Sequence, residues 1–368
     1  MWIDTPATRL LKIQYPIIQG PFGGGASSVE LAATVSNLGG LGSFGAQNLT
    51  PAEIRELVAF MRKQTAAPFA VNLWIDNADA GMATFDNAAF ARHAEHLKPV
   101  FDSLGLEPPT FPNQFGQAYE EQVSALIDAV PPAFSFVFGI PSSEVLLACK
   151  KRGVLTIGNA TTVDEAQAIE EAGVDMVVAT GAEAGGHRVS FLHAADAVLM
   201  GNFSLLPQVR KAVNFPVIIA GGIANGQGIA AALTLGADAV QIGTAFLACE
   251  ESGAVAPHRA ALFSDSANQT MLTRAFTGRL ARTMRSDFAE RVSMQQPSEI
   301  APYPAQGWLV RQLRAAAIEQ SRIDLLPLYA GQSASLLRHH HAADLFHSLV
   351  TETDEAFRKA KARCTPLG

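Results

Sequence analysis

The chain has 368 residues, 48% hydrophobic and 17% charged, with 27 Lys and Arg against 34 Asp and Glu for a net charge of −7. Such a chain carries enough apolar material for a large core and too little charge for disorder, and the acidic balance without a basic run excludes a nucleic-acid partner. No stretch approaches the ~20 apolar residues of a membrane helix, and the opening MWIDTPATRLLKIQYP carries acid and proline where a secretory signal needs an apolar run.

In chain order, short apolar runs rich in β-branched residues alternate with helical patterns. Candidate strands are Tyr15–Gln19, Leu41–Phe44, Phe69–Trp74, Phe134–Phe138, Val154–Ile157, Asp175–Ala179, Phe215–Ala220 and Ala239–Ile242. Their continuous apolar character belongs to strands covered on both faces, as in a parallel sheet. Between them, Ser27-x-x-Glu30, Thr50-Pro51-x-Glu53 and Thr162-x-x-Glu165 have capping-box spacing. Gly39-Gly40, Gly153, Gly173 and Gly236 stand where helices stop. Eight strands alternating with helices fit a (β/α)8 TIM barrel or a doubly wound sheet, and the count of eight favours the barrel.

The barrel is assigned to residues 1–250. Residues 75–130 are too long for an ordinary βα connection and read as an elaborated excursion, with Pro108-Pro109, Pro112 and a helix over 117–129. Residues 251–330, with Arg274, Arg279, Arg282, Arg285 and the turn Pro302-Tyr303-Pro304, read as a smaller helical subdomain over the barrel mouth. Residues 331–368 read as a C-terminal helix, starting at 331, that returns to the barrel. Cys149, Cys249 and Cys364 show no CxxC spacing and are expected as reduced thiols of a cytoplasmic protein. The consecutive His339, His340 and His341 point in different directions on a helix and read as a solvated face, so no metal is expected.

In such barrels the chemistry sits at the C-terminal ends of the strands. After the first strand comes Gln19-Gly20-Pro21-Phe22-Gly23-Gly24-Gly25, whose glycines allow close backbone approach to a ligand or simply a flexible turn. Asn72, within the third strand, needs hydrogen-bond partners from a ligand edge or a neighbouring loop. After the sixth comes Gly181-Ala182-Glu183-Ala184-Gly185-Gly186-His187. A neutral histidine on a glycine-flanked loop can act as a general base, and Glu183 is expected to accept a hydrogen bond from ligand or backbone. After the seventh and eighth come Gly221-Gly222 and Gln241-Ile242-Gly243-Thr244, where amide groups and the Thr244 hydroxyl suit a phosphate; close strand–helix packing is the alternative.

The segments YPIIQGPFGGGASSVELAATVSNLGGLGSFGA, PFAVNLW, GAEAGGH, PVIIAGGIANG and VQIGTAFL, in this order, resemble the nitronate monooxygenase family, formerly 2-nitropropane dioxygenases. APYPAQGW and LYAGQSASLLR resemble the C-terminal motifs of its class I. The resemblance implies an FMN-dependent barrel enzyme that oxidises alkyl nitronates, and nitroalkanes, with O2 to a carbonyl compound and nitrite. His187 matches the catalytic base. Gly20, Pro21, Phe22, Gly23, Asn72, Glu183, Gly185, Gly186, Gly221, Gly222, Gln241, Gly243 and Thr244 are the positions it implies for the flavin. The family often has Ala-Pro-Met where this chain has Gly20-Pro21-Phe22. Phe22 keeps an apolar surface but is stiffer than Met. Tyr303 and Trp308 join Phe22 as candidate substrate wall, although packing within the subdomain is the stronger reading for both. Two rivals remain: an FMN-dependent NAD(P)H reductase acting on a quinone or an enoyl-acyl carrier protein, and a flavin-free phosphate-sugar isomerase or lyase. The oligomeric state has no signal in the sequence.

Overall fold

The computed structural model describes residues 2–75 and 78–364. Its barrel strands are β1 (Ile17–Gln19), β2 (Gly42–Gly45), β3 (Phe69–Trp74), β4 (Ala133–Val137), β5 (Leu155–Ala160), β6 (Met176–Thr180), β8 (Val217–Ala220) and β9 (Ala239–Ile242); a two-residue strand, β7 (Gly186–His187), lies outside the barrel. The eight pair in parallel in the order β1-β9-β8-β6-β5-β4-β3-β2. The ring closes at a bridge between Ile18 and Leu41, where Gln19 N–H donates to Leu41 O at 2.9 Å and Leu41 N–H to Ile17 O at 3.0 Å. The expected TIM barrel is therefore borne out, with strand ends displaced by up to three residues.

Alternate side chains explain the layers. Ile18, Leu41, Ala70, Ala133, Ile157, Met176, Val178, Ile218 and Ala239 point into the barrel and form its packed interior. Ile17, Val71, Phe134, Val177, Val217 and Val240 point outward and are buried under the helices. Both faces are apolar because both are covered, which is why the strands read as unbroken hydrophobic runs.

The helix starts correct two details. Thr50 and Glu53 form a full capping box. At the second helix the cap is Ser28, which accepts from Leu31 N–H. Ser27 instead braces the glycine loop, its hydroxyl accepting from Phe22 and Gly45 N–H and donating to Phe22 O. Thr162 caps its helix, but the fully buried Glu165 carboxylate turns away to accept from Thr161, Phe191 and Leu192 N–H, pinning the chain after β7.

The excursion after β3 holds the expected helix, Tyr119–Ala129, and an unforeseen one, Asn87–Ser103, with Pro99 inside it. Phe90, Ala94, Leu97 and Phe101 of the unforeseen helix are buried in one cluster with Leu262, Phe288, Leu309 and Leu313. The excursion thus shares a core with the segment after β9 and helps to roof the barrel. That later segment is mostly helical, with Ala256–Leu262, Asp287–Ser293, Ala305–Arg311 and Arg314–Glu319. It also contains an antiparallel pair, β10 (Thr270–Thr273) and β11 (Ala281–Met284), that the sequence did not announce. β11 pairs with β7, aligning Ala281 with His187, so roof and barrel rim are stitched by backbone.

The final helix runs over Ala342–Cys364 rather than from 331. Residues 331–341 hold only a short turn of helix, Ala334–Leu336, and Gly331 and Ser333 lie at the cavity described below. Leu345, Phe346 and Leu349 bury the final helix against the outer barrel. Cys149 and Cys249 are buried and unpaired. No described helix is long and apolar enough to cross a membrane.

Candidate active site

Between the barrel's C-terminal rim and the roof lies a cavity of about 590 Å3, within the range of small-ligand and cofactor sites. The structure brings Gly20, Pro21, Phe22, Gly23, Asn72, Gly185, Gly186, His187, Gly221, Gly222, Gln241, Gly243 and Thr244 to its wall. These residues are far apart in sequence and meet because they lie in or just after the C-terminal halves of barrel strands, or in the short strand β7 at the rim.

One part of this wall is built from backbone. Gly221 has φ +106° and Gly222 φ +69°, a left-handed path closed to most side chains. A Cβ on Gly221 would also come 2.9 Å from Ala184 N. The N–H groups of Gly222 and Ile223 lie outside any strand or helix and have no hydrogen-bond partner among the described residues. On the neighbouring loop after β9, Thr244 Oγ1 accepts from Gly331 N–H at 2.9 Å, which docks the later chain there. Unspent amides in a glycine turn of this kind suit an anionic oxygen cluster. The wall also holds Gln47, whose amide lies against the Gly23 and Gly45 backbone and whose Oε1 is buried without a partner. The residues present therefore fit a ligand with a phosphate at one end and a polar heterocycle at the other.

Glu183 does not line the cavity. Its Oε1 accepts from Asn202 N–H at 2.8 Å, at the start of the helix Asn202–Ala212, and its Cβ packs against Gly222. Its work is behind the glycine turn, supporting it. The backbone alternative in the sequence reading was the right one.

His187 is held by β7. Its Nε2 lies 2.9 Å from Thr277 Oγ1 of the roof. Its ring meets Trp74 edge to face, with centroids 5.0 Å apart, and Tyr329 at 5.5 Å. Burial pushes its pKa down to about 3, and the positive charge of Arg279 adds to the effect. The imidazole is neutral at ordinary pH and keeps a lone pair. Arg279 is sandwiched between the rings of Phe138 and Tyr303, 4.2 and 4.3 Å from their centroids, and pairs with Asp79 at 2.7 Å.

Tyr303 and Trp308 both line the cavity and both pack. Tyr303 stacks near Trp74 at 5.4 Å, while Trp308 sits among Phe90 and Phe115. Sequence reasoning missed Gln47, Trp74, Thr277, His258 and Tyr329, all on the wall. Tyr329, Gly331 and Ser333 lie inside the segment LYAGQSASLLR, whose spacing gives no chemical signal of its own.

In barrel enzymes the active site lies on this C-terminal rim, which is where the roofed cavity of this chain sits. The nitronate monooxygenase family matches residues 4–352, and the chain belongs to that family. It is 36% identical to a probable nitronate monooxygenase of Staphylococcus saprophyticus, over 98% of this chain and all of the relative. It superposes on nitroalkane oxidase from Streptomyces ansochromogenes with a TM-score of 0.88 at 38% identity, covering 97% of this chain and 100% of the other. It is also similar to FabK from Thermotoga maritima, with a TM-score of 0.76 at 28% identity over 98% and 99% of the two chains.

Proposed function

We propose that the protein is an FMN-dependent monooxygenase that oxidises alkyl nitronates, and neutral nitroalkanes, with O2 to a carbonyl compound and nitrite, with His187 as its base. Family membership and the likeness to nitroalkane oxidase support the reaction class. The observation that carries the residue assignment is the placement of a neutral imidazole and unspent loop amides on one continuous cavity wall.

Gly221, Gly222, Gly243 and Thr244 would hold the FMN phosphate through backbone N–H groups and one hydroxyl. Gly20, Pro21, Phe22, Gly23, Asn72, Gly185, Gly186 and Gln241 would flank its ring and ribityl chain. When bound, FMN supplies the redox chemistry, taking electrons from the organic substrate and delivering them to O2. The chain's own residues bind, orient and move a proton. His187 takes the proton on the carbon next to the nitro group, and the electron pair left behind forms the C=N bond of the nitronate. An imidazole with a pKa near 3 is a weak base in isolation, but the resulting imidazolium sits beside the anion it has made. Arg279 contributes a second positive charge to the same region. Trp74, Tyr303 and Tyr329 wall the site with aromatic surface and limit water.

An absorbance spectrum of the purified protein, followed by oxygen uptake and nitrite release with propyl-2-nitronate, tests this reading. A flavin spectrum with stoichiometric nitrite is expected. Rapid bleaching by NADH without air and no reaction with the nitronate would favour the reductase. A colourless protein that takes up no flavin would return the cavity to phosphate-sugar chemistry.

A further inference from the structure

We propose that Thr277 is the positioning residue for His187: its hydroxyl accepts the Nε2–H of the imidazole and so fixes the tautomer whose bare Nδ1 is the proton-accepting atom. The inference rests on the base role given to His187 above.

Three contacts meet at Thr277 Oγ1. His187 Nε2 lies at 2.9 Å, Arg279 N–H donates to it at 3.3 Å, and it donates to Arg279 O at 3.3 Å. A hydroxyl has one proton, and a carbonyl oxygen can only accept. If the proton goes to Arg279 O, the histidine contact is a hydrogen bond only with the proton on Nε2. This is the one assignment that satisfies all three contacts. His187 Nδ1 has no hydrogen bond from the described residues and is not among the buried unpartnered atoms, so it faces accessible space.

The support is rigid. Thr277 sits in the turn between β10 and β11. Gly278, at φ +87°, leaves no room for a side chain, since a Cβ there would come 2.6 Å from Ala301 O. Through β11 the same turn is hydrogen-bonded to the strand that carries His187. Thr277, in the turn of one small sheet, and His187, in one of its strands, are thus held together, and a defined second partner is what sets a histidine's tautomer and ring orientation. In the proton transfer the substrate C–H bond breaks, its proton bonds to Nδ1, and its electron pair enters the nitronate C=N bond. The Nε2–H stays on Nε2, donating to Thr277 throughout.

The test uses flavin-loaded wild type, Thr277→Val, Thr277→Ser and His187→Asn, assayed with 2-nitropropane and preformed propyl-2-nitronate. Thr277→Val is expected to lower kcat on the nitroalkane about tenfold or more, the cost of one hydrogen bond that matters in the transition state. Its KM and kcat on the nitronate are expected to stay within about twofold, and Thr277→Ser is expected to recover the nitroalkane rate. Nitrogen NMR of histidine-labelled wild type is expected to show a protonated Nε2 and a bare Nδ1, and needs no folded variant. The opposite tautomer overturns the proposal, as does an equal rise in KM on both substrates, which would make Thr277 a substrate contact. An unchanged nitroalkane rate in Thr277→Val, with a selective loss in His187→Asn, overturns this proposal alone. If His187→Asn shows no selective loss, the base role itself has failed.

Discussion

Trp74, the last residue of β3, meets His187 edge to face at 5.0 Å between ring centroids, so the strand that ends beneath the cavity also shields its imidazole. The contact explains much of why the ring stays neutral. Apolar surface takes the place of the water that would otherwise solvate an imidazolium.

A pH profile follows. With its pKa held near 3, His187 stays unprotonated throughout the mildly acidic range. The kcat/KM for a neutral nitroalkane is therefore expected to show no acidic limb between about pH 7 and about pH 5, where an ordinary histidine titrates. Trp74→Ala admits water and is expected to raise the pKa, so that a limb appears as the pH falls through that range. The profile of the two enzymes with 2-nitropropane checks both statements.

Gly221→Ala addresses the phosphate turn. The left-handed backbone and the nearby Ala184 N leave no place for a methyl group. The turn must shift, and its amides with it. FMN binding, followed by fluorescence titration, is expected to weaken about tenfold or more, while the circular dichroism of the fold is retained.

Glu183→Ala is expected to behave differently from substitutions on the wall. Loss of the carboxylate leaves Asn202 N–H without its acceptor at the helix start. A stability loss of about 1–2 kcal/mol is expected in chemical denaturation. FMN affinity is expected to change by only about two- to threefold. A loss of FMN as large as that of Gly221→Ala would return Glu183 to direct ligand contact.

Acid stability depends on a second buried imidazole. His258 is 6% exposed and bonded to Tyr329 O, and burial lowers its pKa to about 4. Below the ordinary histidine pKa the unfolded chain takes up a proton that the folded chain refuses. The unfolded state then binds more protons, so stability falls as the pH drops from about 6.5 to about 4. The effect is on the order of 3 kcal/mol at 1.36 kcal/mol per pKa unit. Denaturant melts of wild type and His258→Gln across this range are expected to show a shallower decline in the variant.

The barrel was legible because each strand is covered on both faces and is therefore mostly apolar, as β3 is: all six of its positions are buried and only Asn72 among them is polar. The glycine-rich strand ends were legible for the complementary reason: a left-handed turn such as Gly221-Gly222 leaves a mark in composition. The helix Asn87–Ser103 was hidden because Pro99 stands inside it and because its buried face, Phe90, Ala94, Leu97 and Phe101, is completed largely by residues of the roof far later in the chain. β7 was hidden because two residues show no periodicity, and its partner β11 lies in a segment that reads as helix. Thr277 and Gln47 are ordinary polar residues whose role comes from placement alone. Glu183 was misplaced because spacing from His187 cannot tell a side chain on the cavity from one behind it.

The most direct measurement is oxygen uptake by flavin-loaded His187→Asn with 2-nitropropane and with preformed propyl-2-nitronate side by side. Turnover of the neutral nitroalkane is expected to fall by at least about a hundredfold, the scale of a lost general base, with FMN still bound and the nitronate rate reduced far less. Equal losses on both substrates, or full activity on the nitroalkane, would contradict the role of His187 as the base.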